Sequence, residues 1–210
     1  VIDYVMSIGM IGAGTDYDAE VASAAPEEVV LHILKSYPTA AEPGRQAEGY
    51  SGDGKGDKME WAVQKAVELG AARIVPFFSK YTVVKAKNEE QKNLRYTRIA
   101  HEAAKQSGRG VLPQVALPLG FEPMLTEAGK ADVPLFCYEE GGTTLSEALT
   151  TKPETVAIIT GPEGGFAPEE AQRAKQAGCV LAGLGPRILR CETAPLAALA
   201  AVMALTGNLE

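Results

Sequence analysis

A chain of 210 residues with 46% hydrophobic content can fold as one large domain, or as one domain with a small appendage. Its net charge of −7 at pH 7 argues against a generic polybasic nucleic-acid binder, and no apolar run reaches the roughly 18 residues that span a bilayer. Cys137, Cys179 and Cys191 have no CxxC spacing and cannot all pair, which points to reduced thiols in a cytoplasmic protein.

Residues 1–12 are apolar but contain Asp3 and have no basic flank, so they make a poor secretory signal. Over 13–37, short apolar runs (Val29-Val30-Leu31, Ile33-Leu34) alternate with polar breaks and predict small strands. Residues 43–56 contain five glycines in fourteen positions and read as a linker or loop. Asp57 is a suitable N-cap for a helix in which Met59, Val63, Ala66 and Val67 share one face, and Gly70 is placed to end it. Residues 73–78 then read as a buried strand.

A second helix is expected over 91–107. Arg98, Glu102, Lys105 and Arg109 follow i, i+4, i+7, i+11 spacing, with Ile99 and Ala103 on the apolar side. Residues 55–109 carry 12 Lys and Arg against 6 Asp and Glu, a local +6 within an acidic chain. That segment is either a local phosphate-binding face or a set of solvated helix faces. Further strands are predicted over 134–138, 156–160 and 180–184. Helices over 145–149 and 168–177 separate them; Pro168, Glu169 and Glu170 suit a helix start and Gly178 its end. The last helix, 194–205, is apolar nearly all round and should be buried on several sides. Strand–helix alternation over 57–210 implies an α/β domain with a mostly parallel sheet.

Two loops follow predicted strands: Gly161-Pro162-Glu163-Gly164-Gly165-Phe166, and Leu184-Gly185-Pro186-Arg187-Ile188-Leu189-Arg190-Cys191-Glu192-Thr193-Ala194. Loops at the carboxyl ends of strands in such a sheet form a ligand crevice. Their glycines admit close backbone approach, and Arg190 and Glu192 bring opposite charges to the same place. Neither G-x-x-x-x-G-K-[ST] nor G-x-G-x-x-G occurs, so a phosphate loop or a dinucleotide fingerprint is not indicated. His32 and His101 lack partners at metal-ligand spacing, and no metal site is expected.

These loops occur with Lys55-Gly56-Asp57-Lys58-Met59-Glu60, Gln64-Lys65, Glu68-Leu69-Gly70 and Glu102-Ala103-Ala104-Lys105-Gln106-Ser107-Gly108-Arg109. The set resembles the SPOUT methyltransferases and, within them, the RsmE family of 16S rRNA uridine N3-methyltransferases. The resemblance implies a SPOUT domain over 57–210 with a trefoil knot built from about 156–205. It also implies a partial PUA-like β domain over 1–45, joined by a linker over 46–56. The family pattern puts an apolar strand directly before Lys55, where this chain has the polar stretch 46–54 with only Ala47 and Tyr50 to bury.

The cofactor implied is S-adenosylmethionine, held mainly by backbone groups. Tyr138, Glu139, Thr160, Gly161, Gly165, Leu184, Gly185, Ile188, Leu189 and Arg190 are the candidate binding residues, with Ile188 and Leu189 about the adenine. Glu139 either borders the cofactor or is a plain exposed residue. The partners implied are 16S rRNA of the small ribosomal subunit and a second copy of the chain, with no membrane and no metal. Lys58, Arg98, Lys105, Arg109 and Arg187 are the candidate RNA contacts. Leu196, Leu199, Met203 and Leu205 of the last helix are candidates for the dimer surface.

Methylating uridine N3 requires loss of its imide proton and stabilisation of charge spreading to O2 and O4. Arg190 is the first candidate for that charge and Arg109 the second. Glu192 or Glu163 is the candidate proton acceptor. Glu192 has an alternative role, orienting Arg190 or sitting at a helix N-terminus beside Thr193. Cys191 reads as a small packing residue, because N3 is itself the nucleophile. Two other readings stay open: a non-catalytic RNA-binding or ribosome-assembly module, and a SPOUT ribose 2′-O-methyltransferase.

Overall fold

The computed structural model describes residues 6–10, 14–52, 57–82, 88–151 and 153–209. These fall into two compact units, one drawn from Val1–Glu42 with Ala104–Leu112 and the other from Pro43–Ala103 with Pro113–Glu210. In the first unit, β1 (Met6–Met10), β2 (Thr15–Ala25) and β3 (Glu28–Pro38) form an antiparallel sheet in that order. β2 and β3 are eleven residues each, longer than the small strands expected. The polar positions read as breaks lie within a continuous two-stranded ribbon, exposed over most of its length. Thr39 donates to Asp16 and Tyr37 to Asp18, both at 3.0 Å, where the strands meet at their base.

The second unit begins with β4 (Gln46–Gly52), α1 (Asp57–Glu68), β5 (Ala71–Phe78) and α2 (Glu89–Gln106), whose last three residues belong to the first unit. Next come β6 (Gln114–Val115), β7 (Leu119–Gly120), α3 (Phe121–Ala128), β8 (Val133–Cys137) and α4 (Leu145–Ala148). The chain finishes with β9 (Thr155–Thr160), α5 (Pro168–Gln176), β10 (Val180–Ala182) and α6 (Ala194–Leu205). The strands form one sheet in the order β10-β8-β9-β4-β5-β6, with β7 also pairing β5, and every pairing is parallel.

A parallel sheet covered on both faces needs continuous apolar strands. All five residues of β8 are buried, as are Val156 to Thr160 of β9. On one face Tyr50, Phe77, Phe136 and Ile159 pack with Met124 and Leu125 of α3 and Ala171 of α5. Phe166 inserts among them, 4.1 Å from Phe136 between ring centroids and stacked on Phe77. Burying each such ring contributes roughly 1.5–3 kcal/mol relative to exposure. α1 packs against β5, and α6 packs against α1, β4 and β9.

The expected linker over 46–56 is corrected in its described part. Residues 46–52 form β4, a central strand between β9 and β5. Its two apolar side chains are buried, Tyr50 at 0% and Ala47 at 2% exposure. Ladders on both sides satisfy its backbone, so strand formation here does not depend on β propensity. Gly52 is required by close approach, since a Cβ there would lie 2.5 Å from the backbone nitrogen of Pro162. Residues 53–56, including Lys55 and Gly56 of the motif, lie outside the described residues.

α1 buries Met59, Val63 and Val67 as the pattern requires, while Ala66 is only half-buried and Ala62 is buried instead. α2 buries Tyr96, Ala100, Ala103 and Ala104, with Ile99 at the edge of that stripe. α6 departs from expectation. It is buried along one stripe, Ala198, Leu199, Val202 and Met203, and leaves Ala197, Ala204 and Leu205 exposed. Leu199 and Met203 therefore belong to the core of their own chain, which removes them from the dimer surface expected of them.

Candidate functional site

The carboxyl ends of β8, β9 and β10 lie side by side, and the loops that leave them enclose a crevice of about 520 Å³. Tyr138 and Glu139 come from the β8 end. Its backbone is fixed where Tyr138 N–H donates to the Ala182 carbonyl of β10 at 3.0 Å. Burial, and then a hydrogen bond to Glu140, pushes the Tyr138 phenol above its usual range.

Thr160 and the Gly161 to Gly165 turn come from the end of β9. Thr160 is buried, and its hydroxyl leans on the Tyr50 carbonyl of β4 at 3.4 Å. The turn closes where Gly165 N–H donates to the Pro162 carbonyl at 2.9 Å, and Phe166 then anchors it in the core. Gly165 has φ +67°, and a Cβ there would stand 2.5 Å from Glu139 Oε1. The left-handed backbone favours glycine here, and any side chain would have to displace the end of the Glu139 side chain.

The third wall is the loop from Leu184 to Glu192, which ends in a turn where Thr193 and Ala194 N–H both donate to the Arg190 carbonyl, at 2.8 and 2.9 Å. α6 starts there. Glu192 accepts from the Cys191 thiol at 3.1 Å, and Lys58 Nζ of α1 lies 3.4 Å from the same oxygen. Its own backbone N–H, the Cys191 thiol and Lys58 hold the Glu192 carboxyl below the usual carboxylate range. Burial, reinforced by Glu192, pushes Cys191 up to about 11, and burial pushes Cys137 up to about 12. Cys191 is a hydrogen-bond donor to Glu192 here, and neither thiol offers a thiolate nucleophile at neutral pH.

All ten residues expected to hold a cofactor line this crevice: Tyr138, Glu139, Thr160, Gly161, Gly165, Leu184, Gly185, Ile188, Leu189 and Arg190. Ile188 is 90% exposed, so it stands at the open side. Glu163, Arg187, Glu192 and Lys58 line it too. Gly164, a loop glycine expected to admit close backbone approach, lines it as well, and so do Pro162, Pro186 and Cys137, for which the sequence gives no separate signal. The Lys58–Glu192 pair joins residues far apart in the chain and leaves no signal in local sequence. Glu192 meets Lys58 and Cys191 among the described residues, and does not orient Arg190.

Arg98 and Lys105 are exposed on α2 and are not crevice residues. Arg109 is corrected outright as a catalytic or phosphate-binding candidate. α2 ends at Gln106, so the i+11 extrapolation to 109 runs past the helix. Arg109 lies in the first unit, its side chain 3% exposed, with Nη2 and Nε 2.9 and 3.4 Å from the two oxygens of Glu42. Glu42 also accepts from Val111 N–H at 2.9 Å. Removing one partner of a buried pair strands the other charge. Arg109→Ala is therefore expected to destabilise the first unit by about 3–5 kcal/mol in denaturant titration. A loss under 1 kcal/mol (roughly the value of an exposed pair) would contradict this placement.

Among the described residues no group of three or more His, Cys, Asp or Glu is placed to hold a metal ion, and no helix is long and apolar enough to cross a membrane.

Fold and crevice together define an α/β domain with an open crevice at the carboxyl edge of a parallel sheet, the place where such sheets bind ligands. The model of the RNA methyltransferase domain matches residues 48–203, and the chain belongs to that family. A ribosomal RNA small subunit methyltransferase E from Bacillus subtilis is 41% identical over 161 residues, 72% of this chain and 63% of its own length. The chain spans less than two thirds of this relative and of others like it. The structure of a Neisseria gonorrhoeae protein of the same name, bound to S-adenosyl methionine, superposes with a TM-score of 0.84 at 29% identity, covering 97% of this chain and 83% of that one. The SpoU methyltransferase AviRb from Streptomyces viridochromogenes shares the fold, at TM-score 0.51 and 14% identity over 82% of this chain and 63% of that one.

Proposed function

We propose that this chain is the catalytic part of an S-adenosylmethionine-dependent methyltransferase acting on N3 of a uridine in 16S rRNA. The observation that carries the reading is the crevice itself. Ten residues chosen for a cofactor converge on it, and it has the size of a small-molecule site. Gly161, Gly164, Gly165 and Gly185 along its walls suit a ligand held by backbone groups. The S-adenosyl methionine bound to the Neisseria relative supports the same cofactor.

When bound, S-adenosylmethionine supplies an electrophilic methyl group. Arg190 is the group that stabilises negative charge on O2 and O4 as the imide proton leaves. Glu192, kept ionised by its own N–H, Cys191 and Lys58, is available to accept that proton directly or through water. Glu163 is the second acceptor on the crevice wall.

The finer architecture belongs to the same proposal. β10 crosses to the far side of β8 and α6 then returns to β4 and β9, a path that supports a trefoil knot over about 156–205. The exposed apolar side of α6 at Ala197, Ala204 and Leu205 supports a homodimer. The first unit corresponds to part of a PUA-like β domain. Arg98 and Lys105 on α2, with Lys58 and Arg187 at the crevice, are the proposed RNA contacts. Such an enzyme works in the cytoplasm, where small subunits are assembled.

The test combines calorimetric titration with S-adenosylmethionine and transfer of its labelled methyl group to small ribosomal subunits and to naked 16S rRNA. The expected product on digestion is N3-methyluridine, formed faster on assembled subunits. Label on a ribose 2′-oxygen would replace this reading with a ribose methyltransferase. Absence of cofactor binding would leave an RNA-binding module.

A further inference from the structure

We propose that Tyr81 forms a stacking subsite for the RNA base beside the crevice, a reading that rests on the function proposed above. Tyr81 follows β5 in the turn Ser79 to Thr82, outside both recognised loops. The residue is 42% exposed, yet its backbone is held by hydrogen bonds within the turn. Thr82 N–H donates to the Ser79 carbonyl at 3.2 Å, and Ser79 N–H donates to the Thr82 hydroxyl at 2.9 Å. Next to it, Lys80 N–H donates to Glu170 at 2.8 Å. Glu170 is a buried carboxylate whose other oxygen accepts from Ala167 N–H at 2.9 Å, at the foot of the crevice loop. Lys80 Nζ pairs with Glu169 on α5 and lies 5.6 Å from the Tyr81 ring centroid.

The turn is also built against the crevice wall. A Cβ on Gly164, which lines the crevice, would stand 2.8 Å from Tyr81 Cβ. Tyr81 therefore stands where a Gly164 side chain would be, and its ring rises at the rim. An exposed aromatic ordinarily gains little in solvent. Held on a rigid turn against a ligand loop, it presents a flat face at low entropic cost. A base drawn out of structured RNA loses its stacking neighbours, and proteins that hold such bases replace them with an aromatic ring. Tyr81 supplies that ring, with the Lys80 ammonium over one face and the other face left for the base.

The test uses Tyr81→Ala, Tyr81→Leu and Tyr81→Phe in the full chain, with S-adenosylmethionine and unmodified small ribosomal subunits as probes. Alanine keeps the Cβ that touches Gly164 and removes only the ring, so the crevice wall stays intact. Calorimetry should give the same Kd for S-adenosylmethionine in all three variants and the wild type. The kcat/KM for RNA should fall about 5- to 100-fold in the Ala and Leu variants, the range for loss of one base–aromatic stack, and stay near wild type in Phe. A Leu variant as active as wild type would overturn the stacking role. So would a weakened Kd for S-adenosylmethionine in the Ala variant, which would make Tyr81 part of the cofactor wall. Failure of the parent reading shows separately, as wild-type protein that neither binds S-adenosylmethionine nor methylates RNA.

Discussion

A Gly165→Val protein is expected to fold and to lose S-adenosylmethionine binding, with Kd raised at least about 100-fold, or 2.7 kcal/mol. Two effects push this loop out of its binding shape. Gly165 has φ +67°, and a β-branched residue held there costs on the order of 1–3 kcal/mol. The new Cβ would also stand 2.5 Å from Glu139 Oε1. One side of the turn cannot yield, because Phe166 is clamped between Phe136 and Phe77. The displacement must therefore go toward Glu139 and the crevice. Gly185→Val is the internal control: φ is +90°, but among the described residues beyond its chain neighbours no atom lies within 4 Å of its Cβ position, so it carries backbone strain alone and should weaken binding less. Adding Glu139→Ala to Gly165→Ala should restore part of the lost affinity, since the pair is in contact and should be non-additive. Unchanged affinity in a folded Gly165→Val protein would remove this crevice as the cofactor site.

The crevice was legible in the sequence because its walls are local. Each loop directly follows an apolar strand, so the order of strand, glycines and charged residues survives as a string. Lys58 was legible only as a cation. Its partner Glu192 is brought to it by α1 and α6 packing together, which no local pattern encodes. Arg109 failed for the opposite reason. Its spacing fitted a helix face, but the helix stops at Gln106 and the guanidinium turns to Glu42, a partner 67 residues away. The sequence of β4 reads as linker because it offers only two apolar side chains, Ala47 and Tyr50, among several glycines. Its place as a strand is given by β5 and β9 on either side, so tertiary context overrides propensity. α3 has no counterpart among the expected elements; its Pro123 sits in the first turn, where a helix tolerates proline.

Arg190→Ala is expected to lower kcat by about 10²–10³ with little change in S-adenosylmethionine affinity, the effect of removing one donor aimed at developing charge. Arg190 is exposed on the crevice wall, in a loop pinned at its own carbonyl by Thr193 and Ala194 N–H. Its backbone is thus positioned while its guanidinium faces solvent, the reverse of Arg109, whose charge is already neutralised. Charge on O2 and O4 appears only as the imide proton leaves, so an interaction with it stabilises the transition state more than the bound uridine. In kinetic terms kcat and kcat/KM should fall together. Arg190→Lys keeps the charge but loses the planar fork and should recover only part of the rate. Glu192→Gln tests the proton acceptor separately. The Glu192 carboxyl is held below its usual range, so it stays ionised through neutral pH, and an acid limb due to it would lie below the usual carboxylate range. Loss of rate in Glu192→Gln with an unchanged neutral pH profile supports acceptance of the proton by this carboxylate. An Arg190→Ala enzyme with wild-type kcat would show that the charge is stabilised elsewhere.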